Sequence, residues 1–386
     1  MRHLFYPPYG MWLHGDCSQA EMRGAGFVAR DEVLIDEYAA DIDRHEDTRC
    51  MIEELVGWDT ISRANPMLKD PKHQRVGAKV INFNILFTHD PMSIEYNMHK
   101  QGIFGIGKEV LEPIFEEIHT KYNNISNYKY IYNPIEIIKN KYITNYVRRR
   151  RRFDGIAWLY SPEAEKGLKH LQALAKVPDL QYGTDYTTKK LKEVFPKEIM
   201  DLFMEGWNFH IQGPFSGDIP KLIVSCVARK WKKEGVRATP FLTLYDSVEI
   251  ACDPADIERA VALATPYFLA PPIHMLTDLT PIWTVVPLGV DWSVGPNWGT
   301  QFGIDNWEED FEAYKGREEP HPQLDLSHHM VAGCDANSPT CYACREPVDP
   351  ESANVTFEQE VGESGKVWVE IRHKKCPKST PMEGGP

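Results

Sequence analysis

The chain has 386 residues, 42% of them hydrophobic and 26% charged, with a formal net charge of −13. This apolar share excludes a disordered chain, and the length suffices for two or three domains with real cores. No apolar run reaches the ~20 residues that cross a bilayer, and Met1-Arg2-His3-Leu4-Phe5-Tyr6-Pro7-Pro8 does not read as a signal peptide. The expectation is an intracellular protein with no membrane partner and reduced thiols.

Residues 1–16 read as a strand running into Asp16. Ala, Met, Val, Leu and Ile at helical intervals predict a helix over 18–40, and helices continue through 41–110. Within that stretch Arg75, Lys79, Phe83 and Phe87 recur every four residues and share one helix face. Composition then shifts: residues 122–146 are dominated by Asn, Tyr, Ile and Lys. This segment reads as an insertion, either an aromatic and basic binder of single strands or a surface elaboration. Arg148 to Arg152 follow. Lys221–Lys233 predicts a helix and Phe241–Leu244 a strand, which ends in Tyr245-Asp246-Ser247-Val248-Glu249. Asp253-Pro254-Ala255-Asp256 then caps a further helix.

Asp16 and Asp246 each close an apolar, strand-like run. Two such carboxylates, far apart in sequence, are what a site needs to hold paired divalent cations around a triphosphate. An Asp after a strand is also common in turns. On the stripe between them, Arg75 and Lys79 suit phosphates, and Phe83 and Phe87 suit sugar and base. The plainer reading is a partly buried helix whose cations snorkel to water.

Taken together, these segments resemble motifs A, B and C of the family A DNA polymerases. Asp16-Cys17-Ser18-Gln19-Ala20-Glu21-Met22-Arg23 is similar to motif A, with Cys17 in an aromatic position. Arg75 to Phe87 is similar to motif B, with Phe87-Thr88 for the usual Tyr-Gly, and Tyr245-Asp246-Ser247 stands where motif C reads His-Asp-Glu. Asp43-Arg44-His45, Asn208-Phe209-His210-Ile211-Gln212-Gly213 and Val290 to Gly299 extend the resemblance in the same order.

The resemblance implies an α+β fold: a palm of antiparallel sheet and helices, with helical fingers. It divides the chain into palm with motif A (1–45), fingers (46–110), fingers-to-palm connection with the insertion (111–200), palm with motif C (201–300) and an acidic tail (301–386). It further implies template-directed DNA synthesis in replication, by a two-metal transfer of dNTPs to a primer 3′-hydroxyl. Asp16, Asp246 and the Cys17 carbonyl would hold two Mg²⁺. Arg75, Lys79, Phe83, Phe87, Glu21 and His45 would bind the nucleotide, Glu21 by blocking a ribose 2′-hydroxyl. Asn208, Gln212, Tyr245, Arg149 and Arg150 would contact primer-template DNA. Ser247 leaves motif C one carboxylate short, and Thr88 in place of Gly predicts that the helix runs on past Phe87.

No thumb or exonuclease portion is legible, so a separate polypeptide carrying the thumb and N-terminal palm is an expected partner. A gene fragment or a mis-called start accounts for the same observation. The setting implied is a phage or prophage protein in the cytoplasm of a bacterial host. The alternative is a non-catalytic DNA-binding or replisome-assembly subunit that keeps the fold.

The negative charge is uneven. Residues 301–386 hold 17 acidic and 8 basic residues, leaving 39 acidic against 35 basic in the first 300. A near-neutral body with a locally basic cleft is compatible with DNA. In the tail, Cys341, Cys344, His373 and Cys376 have the paired spacing of a zinc site, the alternative being ordinary reduced thiols.

Overall fold

The computed structural model describes residues 5–62, 66–100, 106–315, 355–361 and 367–373. Two compact units are present, Met1–Phe311 and Glu312–Pro386. Among the described residues of the second, β8 (Val355–Val361) and β9 (Val367–His373) form an antiparallel hairpin.

The first unit is organised by one antiparallel sheet. Its strands are β1 (Met11–Cys17), β4 (Ala238–Leu244), β5 (Ser247–Cys252), β6 (Val290–Asn297) and β7 (Thr300–Gly303), in the order β4-β5-β1-β6-β7. A smaller hairpin pairs β2 (Tyr142–Thr144) with β3 (Arg150–Arg152). Alternation along β1 divides the large sheet into two chemistries. Leu13 and Gly15 share a face with Ile250, Val248, Val294 and Trp292, their cross-strand partners. Gly15 is required there, because a Cβ would lie 2.6 Å from the Trp292 ring. The opposite face carries Trp12, His14 and Asp16, which pair with Ala251, Glu249 and Ser247 on β5. His14 and Asp16 also pair with Ser293 and Asp291 on β6.

The helices begin with α1 (Ala20–Ala29) and α2 (Glu32–Ala39), so the single helix expected over 18–40 is broken. Arg30 turns left-handed, and the Asp31 carboxylate accepts from Leu34 N–H (3.1 Å) and from the Asn124 and Ile125 N–H groups. One capping carboxylate therefore serves two helix starts. Next come α3 (Arg44–Leu55), α4 (Trp58–Ser62), α5 (Pro71–Phe87), α6 (Pro91–Lys100), α7 (Lys108–Lys121), α8 (Asn123–Asn127) and α9 (Asn133–Asn140). The stripe helix α5 stops at Phe87 rather than running on. Thr88 leaves the helical region, and the Lys129 ammonium caps the carbonyls of Ile85 (2.8 Å) and Thr88 (2.6 Å).

Lys129 belongs to the Asn/Tyr/Ile/Lys-rich segment, and its placement corrects the reading of that segment as surface. Tyr122, Ile125, Tyr130, Ile131, Ile137, Ile138, Ile143 and Tyr146 are all buried. Tyr122, Tyr130 and Tyr146, sealed in the core, offer no platform for stacking bases, whereas Tyr132 is 45% exposed. The polar composition concealed this because the polar groups are bonded internally: the Tyr122 hydroxyl donates to Glu37, and the Tyr186 hydroxyl donates to Asn127.

The remaining helices are α10 (Pro162–Leu174), α11 (Thr188–Val194), α12 (Lys197–Gln212), α13 (Ile219–Glu234), α14 (Ile257–Leu269) and α15 (Trp307–Lys315). A π-helical turn, Gly213–Asp218, joins α12 to α13. On the sheet's apolar face, Phe268 of α14 meets Trp292 edge-on at 5.1 Å, and Trp231 of α13 donates to the Ala260 carbonyl of α14. Fully buried Trp207 of α12 donates to the Leu86 carbonyl at 2.9 Å, tying α12 to the stripe helix.

Candidate active site

Asp16 lies one residue from the end of β1, and Asp246 lies in the two-residue turn between β4 and β5. Tyr245 opens that turn with a left-handed φ of 54° and is 80% exposed. The Cys17 N–H donates to the Asp246 carbonyl at 3.2 Å, which stitches the turn against β1 and brings the two motifs together. Ser18 donates to the Asp291 carboxylate at 2.6 Å, so a third acid flanks the pair.

Burial and mutual repulsion set the electrostatics of this pair. Burial, then the neighbouring Asp246 and Asp291, push the Asp16 carboxyl up to about 6, against the opposing pull of His14 and Lys79. Burial likewise raises Asp246, again opposed by Lys79 and His14. Anionic carboxylates crowded this way are stabilised by a cation. Burial and the same two aspartates push the Cys17 thiol upward, so Cys17 has only its carbonyl oxygen to offer. Two carboxylates and a carbonyl are a hard oxygen set. They fit Mg²⁺, which takes one or two protein carboxylates and fills its shell with water and substrate phosphate. Among the described residues no group of three or more His, Cys, Asp or Glu side chains could hold a metal ion.

The predicted stripe is exposed along α5. Arg75 and Lys79 face solvent, Phe83 is 50% exposed, and half-buried Phe87 meets it edge-on at 5.0 Å. Lys79 is the link to the sheet, since its charge acts on both Asp16 and Asp246. Arg75 is held in place by Asp43, the N-cap of α3, through bonds of 2.7 and 2.9 Å. His45, on the first turn of α3, is buried beside Asn82 at 3.3 Å. Burial, then Lys79 and Arg75, lower its pKa to about 4, so it is neutral at pH 7.

Glu21 on α1 is buried and accepts from the Ser216 hydroxyl at 2.8 Å. Burial pushes its carboxyl up to about 7, and Ser216 and Gln212 oppose the shift. Gln212 therefore comes to Glu21. Asn208, one helical turn earlier, is half-buried with its side-chain oxygen lacking a partner among the described residues.

The arginine run is less available than a bare patch. Arg148 pairs with Asp278 at 2.8 Å, Arg149 with Asp218 at 3.0 Å, Arg151 with Glu205, and Arg152 with Asp154 at 3.4 Å. Arg150 lies over the Tyr142 ring at 4.2 Å. Of the zinc candidates, Cys341, Cys344 and Cys376 lie outside the described residues, as does the side chain of His373 at the end of β9. Sequence reasoning missed Ser216, Asp291, His14 and Glu249 as site neighbours. Cross-strand alternation is the signal that finds the last two, once Asp16 and Ser247 are paired.

The profile of DNA polymerase family A matches residues 1–300, and the chain belongs to that family. Among solved structures it is similar to the POL domain of Pol1 from M. smegmatis, solved in complex with DNA primer-template and dNTP. The two share 17% identity, with a TM-score of 0.50 over 77% of this chain and 42% of that one. This likeness is one of fold, and the chain spans less than half the length of the protein it matches. A search of the curated proteins finds no match. Among the described residues no helix is long and apolar enough to cross a membrane.

Proposed function

We propose that the chain carries the nucleotidyl-transfer centre of a DNA polymerase, adding dNTPs to a primer 3′-hydroxyl in DNA replication. One observation supports this above the others: Lys79, on a helix, acts electrostatically on both Asp16, near the end of β1, and Asp246, in the β4–β5 turn. A cation beside two crowded carboxylates suits a triphosphate held between fingers and metal ions.

Asp16, Asp246 and the Cys17 carbonyl would hold two Mg²⁺. When bound, these ions lower the pKa of the attacking hydroxyl and stabilise the departing pyrophosphate. Lys79 balances charge that develops on the phosphates, and Arg75, hydrogen-bonded to Asp43, binds them further out. Neutral His45 offers a hydrogen bond to phosphate. Phe83 packs on the sugar, Phe87 supports it, and Glu21 occupies the room a 2′-hydroxyl would need. Tyr245, Asn208, Gln212, Arg149 and Arg150 face primer-template DNA. In this reading Arg149 exchanges Asp218 for a phosphate when DNA binds. A phage or prophage is the genetic source in this reading.

Primer extension tests the reading, with the chain alone and with an upstream-encoded partner, in Mg²⁺ and in Mn²⁺, beside Asp16→Ala. Extension that Asp16→Ala abolishes is expected. No extension in any combination, with DNA still bound, would instead establish a non-catalytic subunit.

A further inference from the structure

Glu249 is fully buried at 0% exposure, two residues beyond Ser247 on β5. An interior carboxylate is costly unless it is paired and hydrogen-bonded. Three donors converge on this one: Trp12 Nε1 at 2.5 Å, His14 Nδ1 at 2.9 Å and Ser247 Oγ at 3.1 Å. Among the described residues its ion-pair partner is His14, whose own side chain is 24% exposed. Register explains the meeting. His14 lies opposite Glu249 and Asp16 opposite Ser247, so all four side chains stand on one face. His14 in turn acts on both Asp16 and Asp246.

We propose that Glu249 and His14 are positioning residues for the Asp16–Asp246 pair. Glu249, hydrogen-bonded to both His14 and Ser247, ties the residue two before Asp16 to the residue that follows Asp246. The inference rests on the reading of Asp16 and Asp246 as cation ligands. Glu249 itself is sealed and does not touch the cation. Its hydrogen bond fixes the orientation of the imidazole, as carboxylates behind metal-site histidines do, and that ring stands two residues before Asp16 on the same strand face. Removing such outer partners typically weakens metal binding 10–100-fold. Ser247 shares its one hydroxyl proton between Glu249 at 3.1 Å and the Leu244 carbonyl at 3.0 Å.

The test is Mn²⁺ binding by the full chain, followed by the electron paramagnetic resonance signal of free Mn²⁺, at one pH and without DNA or dNTP. Wild type, Asp16→Ala, His14→Gln, Glu249→Gln and the double variant His14→Gln/Ser247→Glu are compared, each checked by thermal unfolding. Asp16→Ala should abolish the tight site. His14→Gln and Glu249→Gln should weaken it about 10- to 100-fold, and Ser247→Glu should restore most of the loss in the His14→Gln background. In primer extension the same variants should raise the Mg²⁺ concentration needed for half-maximal rate and leave the KM for dNTP near wild type. Wild-type Mn²⁺ affinity in folded His14→Gln overturns the inference and leaves the ligand reading standing. If Glu249→Gln fails to fold, His14→Gln alone decides. Tight binding that survives Asp16→Ala overturns the ligand reading, and the inference falls with it.

Discussion

On α5, Arg75, Lys79 and Phe83 stand in solvent, whereas on the sheet Asp16 and Asp246 are half-buried and Glu249 is sealed. The helix displays charge and the sheet concentrates it. A displayed cation costs little while it waits, because water screens it. A concentrated anion is unstable until something neutralises it, and the raised Asp16 carboxyl reports that strain. Under the proposed function the two regions would do different work: the helix would recognise a ligand that comes and goes, and the sheet would hold ions on which the chemistry depends.

The largest expected effect lies on the sheet. Asp246→Asn should lower the rate of single-nucleotide extension by on the order of 10³-fold or more, since it removes one of two cation-holding carboxylates. Primer-template affinity, read by fluorescence anisotropy, should stay within about twofold of wild type. Equal losses of binding and rate would dissolve the distinction between holding and recognition. On the helix, Lys79→Ala should cost about 10²- to 10³-fold, the range for one preorganised charge opposite developing negative charge. Part of that loss should appear as a higher KM for dNTP. A pure rate loss would move Lys79 to the sheet's side of the comparison.

The two regions also differed in how far they could be read from the chain. The stripe was legible because four side chains at a four-residue interval mark one helix face without tertiary information, and the opposite face of α5 (Pro71–Phe87) buries Ala78, Val80, Ile81, Ile85 and Leu86. Asp16 and Asp246 were legible as strand-end acids, yet their meeting depends on the turn at Tyr245 and the Cys17 bond to Asp246. Glu249 was hidden because a Glu in a strand ordinarily points to water. Nothing local says that Trp12 and His14, over 230 residues earlier, will donate to it. The Asn/Tyr/Ile/Lys segment failed in the opposite way: its composition suggested surface, while Lys129 finds its partners in the carbonyls that end α5.

A smaller effect concerns the arginine run, which displays its charge but spends much of it on carboxylates of its own chain. If Arg149 exchanges Asp218 for phosphate, Asp218→Asn should strengthen primer-template binding several-fold at low salt, by removing the competitor. Arg149→Ala should weaken binding and reduce the slope of log affinity against log salt by about 1. Unchanged affinity in both variants would make the pair a brace between the loop that precedes β3 and the π-helical turn.

The smallest effect isolates the strain on the sheet itself. Asp16 has its carboxyl raised from 3.8 to about 6 in the folded chain, chiefly by burial. Between those pH values the folded state binds more proton than the unfolded state, so stability falls as pH rises through the interval. Several buried histidines oppose this: His45, His89 and His210 are each lowered to about 4, and they favour folding as pH rises over the same range. The total pH profile therefore hides Asp16, but the difference from Asp16→Asn does not. In EDTA, Asp16→Asn should equal wild type near pH 4 and be more stable above pH 6, by on the order of 1 kcal/mol once solvent screening at a half-buried site is discounted. Mg²⁺ should narrow the gap at pH 8, because only the wild-type carboxylate gains from the cation. A gap that is constant with pH and indifferent to Mg²⁺ would mean that Asp16 is not the strained, cation-seeking acid its surroundings make it.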